Sequence, residues 1–292
     1  MSGQLKNAIR YRETGVVLLF CDEESEAVEL NIYQVDAFSA RPFSGNPAGV
    51  CITQHELDSR LMQQIADEMA VSETAFLNLA DNNLRWFTPK AEVDLCGHGT
   101  LAMAHILRQT GLLQAGETIT FQTLSGPLSA TLGAESIQLD FPLLTPQLHS
   151  AAPPALLDAL GLERAQVRDY GLFGPKQLVV VDDAQIVRTL QPDFQTLGAL
   201  PGRGVAVTAP GDGEYDVLSR YFAPWVGVNE DPVTGSAHCA LAAYWSERLD
   251  KRSLTAYQAS RRGGVLALHC TDDGRVLMSG MAHTVLAGTL HL

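Results

Sequence analysis

The stretch Arg85-Trp86-Phe87-Thr88-Pro89 leads through a short acidic segment to Cys96-Gly97-His98-Gly99 and an apolar run. It returns much later as Arg220-Tyr221-Phe222-Ala223-Pro224, then acidic residues, then Thr234-Gly235-Ser236-Ala237 and a second apolar run. Each copy reads as a strand, a proline, a carboxylate, a glycine and a helix. Arg85 and Cys96 lie eleven positions apart and Arg220 and Thr234 fourteen, so the copies have diverged. Two copies about half a chain apart predict two similar domains related by a pseudo-twofold axis. A ligand between them would meet two helix N-termini, which suits a small anionic substrate.

Leu101–Arg108 and Ala237–Trp245 are apolar on nearly every side, so each copy feeds a buried helix. Strand-like segments surround these helices, among them Asn31–Phe38, Ala48–Thr53, Val71–Leu79, Leu84–Thr88, Ile119–Gln122 and Gln177–Val181. Leu57, Leu61, Ile65 and Met69 form one stripe of an amphipathic helix that Asp58 caps. The expected class is α+β: two domains, each a mostly antiparallel sheet or barrel around one central helix. The domains are expected at residues 29–144 and 145–283. The four-proline segment Pro142–Pro154 is the linker, and a last strand, residues 284–292, crosses back to the first domain. Residues 1–28 read as a poorly ordered N-terminal extension, with a strand at Gly15–Phe20 as the alternative.

The 292 residues are 46% hydrophobic and 18% charged, which supports a large core and argues against disorder. The formal net charge of -13 disfavours nucleic acid and anionic membrane as partners. It does not disfavour an anionic substrate, because helix N-termini act locally. The cysteines, Cys21, Cys51, Cys96, Cys239 and Cys270, are odd in number and include no C-x-x-C. Neither a disulfide framework nor a zinc site is expected, and a cytoplasmic location fits. No apolar stretch approaches about 20 residues, so no membrane helix is expected. Phosphate-loop and zinc-protease motifs are absent, so no metal or nucleotide is expected.

Strand parity singles out Glu73, which shares a face with Val71, Ala75, Leu77 and Leu79. Burial there would raise its pKa and make it a proton shuttle; the bland alternative is a solvated or arginine-paired rim residue. His98 sits at a helix start, where the positive end of the dipole favours a neutral imidazole, either hydrogen-bonding a substrate or merely capping. Asp231 would accept from a substrate, orient His98, or only brace the turn at Pro232. Gly97, His98 and Gly99 on one side, and Gly235 and Ser236 on the other, would offer donors to an anion, or simply helix-start geometry. Cys96 at a helix N-terminus is the rival base, with a lowered pKa. Its counterpart is Thr234, so a symmetric thiol pair is lacking, and Cys239 is expected in the core. His105 and His238 read as packed, hydrogen-bonded histidines.

At these residues the chain resembles the PhzF family of phenazine-biosynthesis-like proteins. The resemblance rests on Val35–Phe38, Phe43–Val50, Ser72–Phe76, Arg85–Pro89, Cys96–Gly99 and Glu230–Ala237, and covers residues 31–292. It implies the two-domain diaminopimelate-epimerase fold, a site in the interdomain cleft, no cofactor, and a homodimer. Glu73 matches the family's catalytic acid/base; Ser72, His98, Asp231, Ser236 and Gly235 match positions around the substrate. The implied activity is a cofactor-independent isomerase that shifts a proton on a small carboxylate-bearing substrate. Cys96 departs from the phenazine enzyme, which lacks a thiol there, and resembles a wider branch. The alternatives are a Cys96-dependent racemase or epimerase and a non-catalytic ligand-binding protein of the same fold.

Overall fold

The computed structural model describes residues 29–292, so the expectations for residues 1–28 lie outside the described residues. Six α-helices are present there: α1 (Ser59–Met69), α2 (Gly97–Gln109), α3 (Pro154–Leu160), α4 (Ala184–Thr189), α5 (Phe194–Ala199) and α6 (Gly235–Leu249). In α1, Asp58 accepts from the N–H groups of Arg60 and Leu61, and Met62, Ile65 and Ala66 turn inward. Among the described residues no helix is long and apolar enough to cross a membrane.

The first half opens with strand Glu29–Ala37, antiparallel to Asn46–Thr53. After α1 the chain returns as Glu73–Asn78, parallel to Asn46–Thr53, and turns antiparallel into Asn83–Phe87. Helix α2 follows, then a meander of Thr118–Thr123, Gly126–Leu132 and Ile137–Pro142. The second half repeats this order. Val167–Phe173 pairs with Lys176–Val181, Val205–Pro210 returns parallel to the latter, and Val217–Ala223 turns antiparallel. Helix α6 follows, then Ser253–Gln258, Gly264–Cys270 and Arg275–Gly280. The matching last strands of the two meanders pair with each other, Leu139 opposite Met278, and join the halves into one sheet.

Both halves also exchange a strand. Ala282–His291 trails the second half and pairs with Glu29–Ala37 of the first. Gln147–His149 trails the first half and pairs with Val167–Phe173 of the second. The segment read as a linker thus contains an exchanged strand. At three exposed residues it is too short to show an alternating pattern.

The repeated motif has a physical reason. Arg85 Nε and Nη2 donate to the two carboxylate oxygens of Glu92 at 2.7 and 2.8 Å, and the guanidinium lies 5.1 Å above the Phe87 ring. Arg220 does the same to Glu230 at 2.6 and 3.0 Å and lies 4.9 Å above Phe222. Each arginine fastens its strand to the acidic segment that leads into the helix. The three extra residues of the second copy match the length of the 3-10 turn Pro224–Val226.

One apolar core runs through both halves and encloses α2 and α6, with Trp86, Met103, Phe121 and Trp245 fully buried. Smaller clusters lie under α1 and under α3 to α5. At about 2 kcal/mol for each large buried side chain, this core fixes both central helices. Their N-termini meet: a Cβ on Gly97 would lie 3.7 Å from the Gly235 Cα, and one on Gly235 would lie 3.6 Å from the Gly97 Cα.

Candidate active site

The abutting N-termini of α2 and α6 form the floor of a cleft of about 440 Å³ between the halves. Glu73 enters from the start of its strand, and its Oε2 lies 3.0 Å from His98 Nε2. The contact is an ion pair whose alignment falls short of a linear hydrogen bond. Ala75 and Leu77, on the same face of the strand, belong to the core and anchor the strand that carries Glu73.

His98 is buried. Burial disfavours its imidazolium, but the adjacent Cys96 sulfur and Glu73 carboxylate outweigh that and raise its pKa well above the ordinary value. This corrects the neutral imidazole expected from the helix dipole. A dipole effect of about 1 kcal/mol is small beside a carboxylate in contact.

Cys96 is corrected too. Burial raises its thiol pKa, with His98 pulling the other way. Its Sγ caps α2 by accepting from the Gly99 N–H at 3.3 Å and lies 3.6 Å from His98 Nδ1. The Gly99 N–H is therefore turned toward the cap, and Gly99 is absent from the cleft wall. A Cβ at Gly99 would lie 2.9 Å from Trp86 Cδ1, so close packing is what requires glycine there.

Asp231 reaches the cleft from the second half. Burial raises its pKa to about 6, opposed by His98 and reinforced by Glu73. Thr234 Oγ1 donates to Asp231 Oδ2 at 2.5 Å, so the carboxylate also braces the start of α6. Asn46 links the two halves. Its Nδ2 donates to Asp231 Oδ1 at 2.8 Å and to the Val233 carbonyl at 2.9 Å. Both N–H bonds are then used, so its 3.3 Å approach to His98 Nδ1 is a packing contact. Ser72 donates to Asn46 Oδ1 at 3.2 Å. Asn46 thus lies between Asp231, which it bonds, and His98, which it packs against.

Ser236 and Gly235 line the opposite wall. Ser236 Oγ accepts from Lys176 Nζ at 2.6 Å. Sequence reasoning missed Lys176, Arg203, Tyr221 and Asn46. Asn46 stood in a quoted segment, but its bond to Asp231 spans 185 positions and carries no local signal. Cys239 is buried in the core, as are its helix neighbours. His238 donates to the Thr234 carbonyl at 2.8 Å and His105 bonds Thr284 at 3.0 Å, both packed. Burial lowers each to a pKa of about 4.

Glu73, Cys96 and His98 offer ligand atoms within 4.8 Å of one another, a set able to hold a thiophilic divalent cation. As they stand, His98 Nε2 lies 3.0 Å from Glu73 Oε2 and His98 Nδ1 lies 3.6 Å from Cys96 Sγ.

The relation between the halves decides what the cleft can do. Pairing register aligns Thr74 with Val205, because each faces the phenylalanine of its motif, Phe87 or Phe222. Glu73 then corresponds to Gly204, Ser72 to Arg203, Cys96 to Thr234 and His98 to Ser236. A Cβ at Gly204 would lie 1.9 Å from the Tyr221 hydroxyl, so a side chain there would require that ring to move. The Glu73–His98 pair has no acid or base opposite it at the matching place.

A family model described as phenazine biosynthesis-like protein matches residues 35–288. An isomerase of Pseudomonas aeruginosa, itself uncharacterized, is 49% identical over 268 residues, 91% of this chain and all of that relative. A crystal structure of a PhzF-family phenazine biosynthesis protein from Enterococcus faecalis superposes with a TM-score of 0.85 at 41% identity, over 91% of this chain and all of that one. A hydroxyproline epimerase of Agrobacterium vitis, only 12% identical, shares the fold at a TM-score of 0.56 over 90% of this chain and 93% of its own. The chain belongs to the phenazine biosynthesis-like family, PhzC-PhzF.

Proposed function

We propose that the protein is an isomerase that moves a proton on a small carboxylate-bearing substrate, with Glu73 as the acid/base. The observation that carries this reading is the ion pair between Glu73 Oε2 and His98 Nε2, 3.0 Å apart at the cleft floor. The contact with His98 holds the Glu73 carboxylate at the cleft floor, where it meets the substrate carbon. Glu73 takes that proton from a carbon next to an acid or conjugated group. The electron pair moves into that group, where the N–H groups at Gly235 and Ser236 stabilise the negative charge. Glu73 exchanges that proton with solvent and delivers one to a different carbon, so in ordinary water the product has the mass of the substrate. Asp231, through Asn46, holds His98 in place while charge develops.

Relatives named as isomerases support the reaction class. Nothing favours the thiol-dependent racemase, because Cys96 is a buried thiol with a raised pKa and its counterpart is Thr234.

The test is incubation with a metabolite extract, followed by chromatography and mass spectrometry. A compound that changes retention but not mass with the unaltered protein, and is unchanged with Glu73→Gln, is the expected result. A product of altered mass would contradict the isomerase reading.

A further inference from the structure

The wall facing Glu73 carries two cations that the reaction above does not need. Lys176 opens its strand, and its Nζ lies 2.6 Å from Ser236 Oγ and 5.7 Å from the centre of the Tyr221 ring. Arg203 lies on the approach to the neighbouring strand, where its N–H donates to the Pro175 carbonyl at 3.2 Å. Both side chains line the cleft.

Among the described residues neither has a carboxylate within ion-pair distance, although the chain carries 33 acidic residues against 20 basic ones. The start of α6 adds to the positive field, since Thr234 gives it no side-chain cap and instead donates to Asp231. The first half has Ala48 and Ser72 at the places of Lys176 and Arg203. Burial lowers the Lys176 pKa, Asp231 raises it, and Arg203 lowers it again. A half-buried ammonium beside a guanidinium and a helix N-terminus is stabilised by an anion from outside.

We infer that Lys176 and Arg203 select a substrate that carries a second anionic group beyond the carboxylate at α6, either a second carboxylate or a phosphate ester. The inference rests on the proposed substrate class, but not on Glu73 as the base. A monoanion would satisfy Ser236 and the helix end and leave the two cations unmatched.

Calorimetric titration of the full-length protein with acetate, malonate and inorganic phosphate tests this. The expected result is binding of malonate or phosphate at least about tenfold tighter than acetate, the effect of one charge-assisted hydrogen bond. A preference for malonate identifies a dicarboxylate, and one for phosphate identifies a phosphate ester. Lys176→Met and Arg203→Gln should each cut the dianion preference by about tenfold and change acetate affinity by less than about threefold. Lys176→Arg should restore it, which a merely structural lysine would not require. Glu73→Gln should retain the preference, so failure of the proposed proton transfer is read separately. Equal affinity for acetate and the dianions would overturn the inference, as would a preference that survives Lys176→Met and Arg203→Gln together.

Discussion

The two halves bring matching elements to one cleft and arm them differently. In the first half α2 is capped by Cys96, and its second residue, His98, is paired with Glu73. In the second half α6 has no side-chain cap, and its second residue, Ser236, is paired with Lys176. On the proposed function, one wall exchanges a proton and the other holds an anion. The difference teaches that a repeated chain order brings two helix ends together at Gly97 and Gly235, while different residues at a few matched positions line the two walls. A symmetric two-base site built on Glu73 would need an acid or base at Gly204, where the Tyr221 hydroxyl now lies.

Substitutions that separate the halves sharpen this comparison. The largest effect is expected at Glu73. Glu73→Gln should lower turnover by about 10²- to 10⁴-fold, whereas Ser236→Ala should chiefly raise KM, as steady-state kinetics would show.

The next effect is a pH dependence that separates one matched pair of positions. Thr100 and His238 occupy matched positions and each bonds the carbonyl four residues back, at 2.7 and 2.8 Å. Only His238 titrates, with a folded value of about 4 against an ordinary 6.5, because burial opposes its charged form. The unfolded chain takes up the proton first as pH falls. Stability from this site is therefore complete above pH 6.5 and is lost toward pH 4, by about 3 kcal/mol. Asp231, raised to about 6, works in the opposite sense over the lower part of that range. Its contribution is largest below the ordinary carboxylate value and fades as pH rises through 6. Urea unfolding at pH 7 and pH 4.5 should show a shallower loss for His238→Gln than for the unaltered protein.

A smaller difference separates the two arginines. Arg220 also donates to the carbonyls of Val187 and Leu190, at 3.3 and 2.8 Å, and is the more buried of the two. Arg220→Ala should cost about 3 kcal/mol and Arg85→Ala about 1 kcal/mol less, measured by denaturant unfolding. Equal costs would mean that the added carbonyl contacts carry nothing. The smallest effect belongs to Cys96. Cys96→Ser keeps a cap on α2 and should leave turnover within about threefold of the original.

Much of the fold was legible because the motif has a local cause. Arginine, aromatic, proline and acid recur since each arginine must reach a carboxylate on the returning segment. Helices without a polar face announced α2 and α6. The strand Gln147–His149 was not legible, and neither were α3 to α5, which are short and lie in a half with weak periodicity. Parity drew attention to Glu73, which lines the cleft, and the resemblance named Ser72, His98, Asp231, Gly235 and Ser236 around it. The states of His98 and Cys96 were not legible, since their pKa directions depend on burial and on each other. Lys176 and Arg203 were invisible because only sheet register aligns them with Ala48 and Ser72.

The central claim is that proton chemistry belongs to the first half alone. It is tested most directly by following hydrogen exchange between substrate carbon and heavy water, for the unaltered protein, Glu73→Gln and Cys96→Ser. The account predicts deuterium in the substrate or product with the unaltered protein and with Cys96→Ser, and none with Glu73→Gln. Label that persists in Glu73→Gln, or disappears in Cys96→Ser, would contradict it.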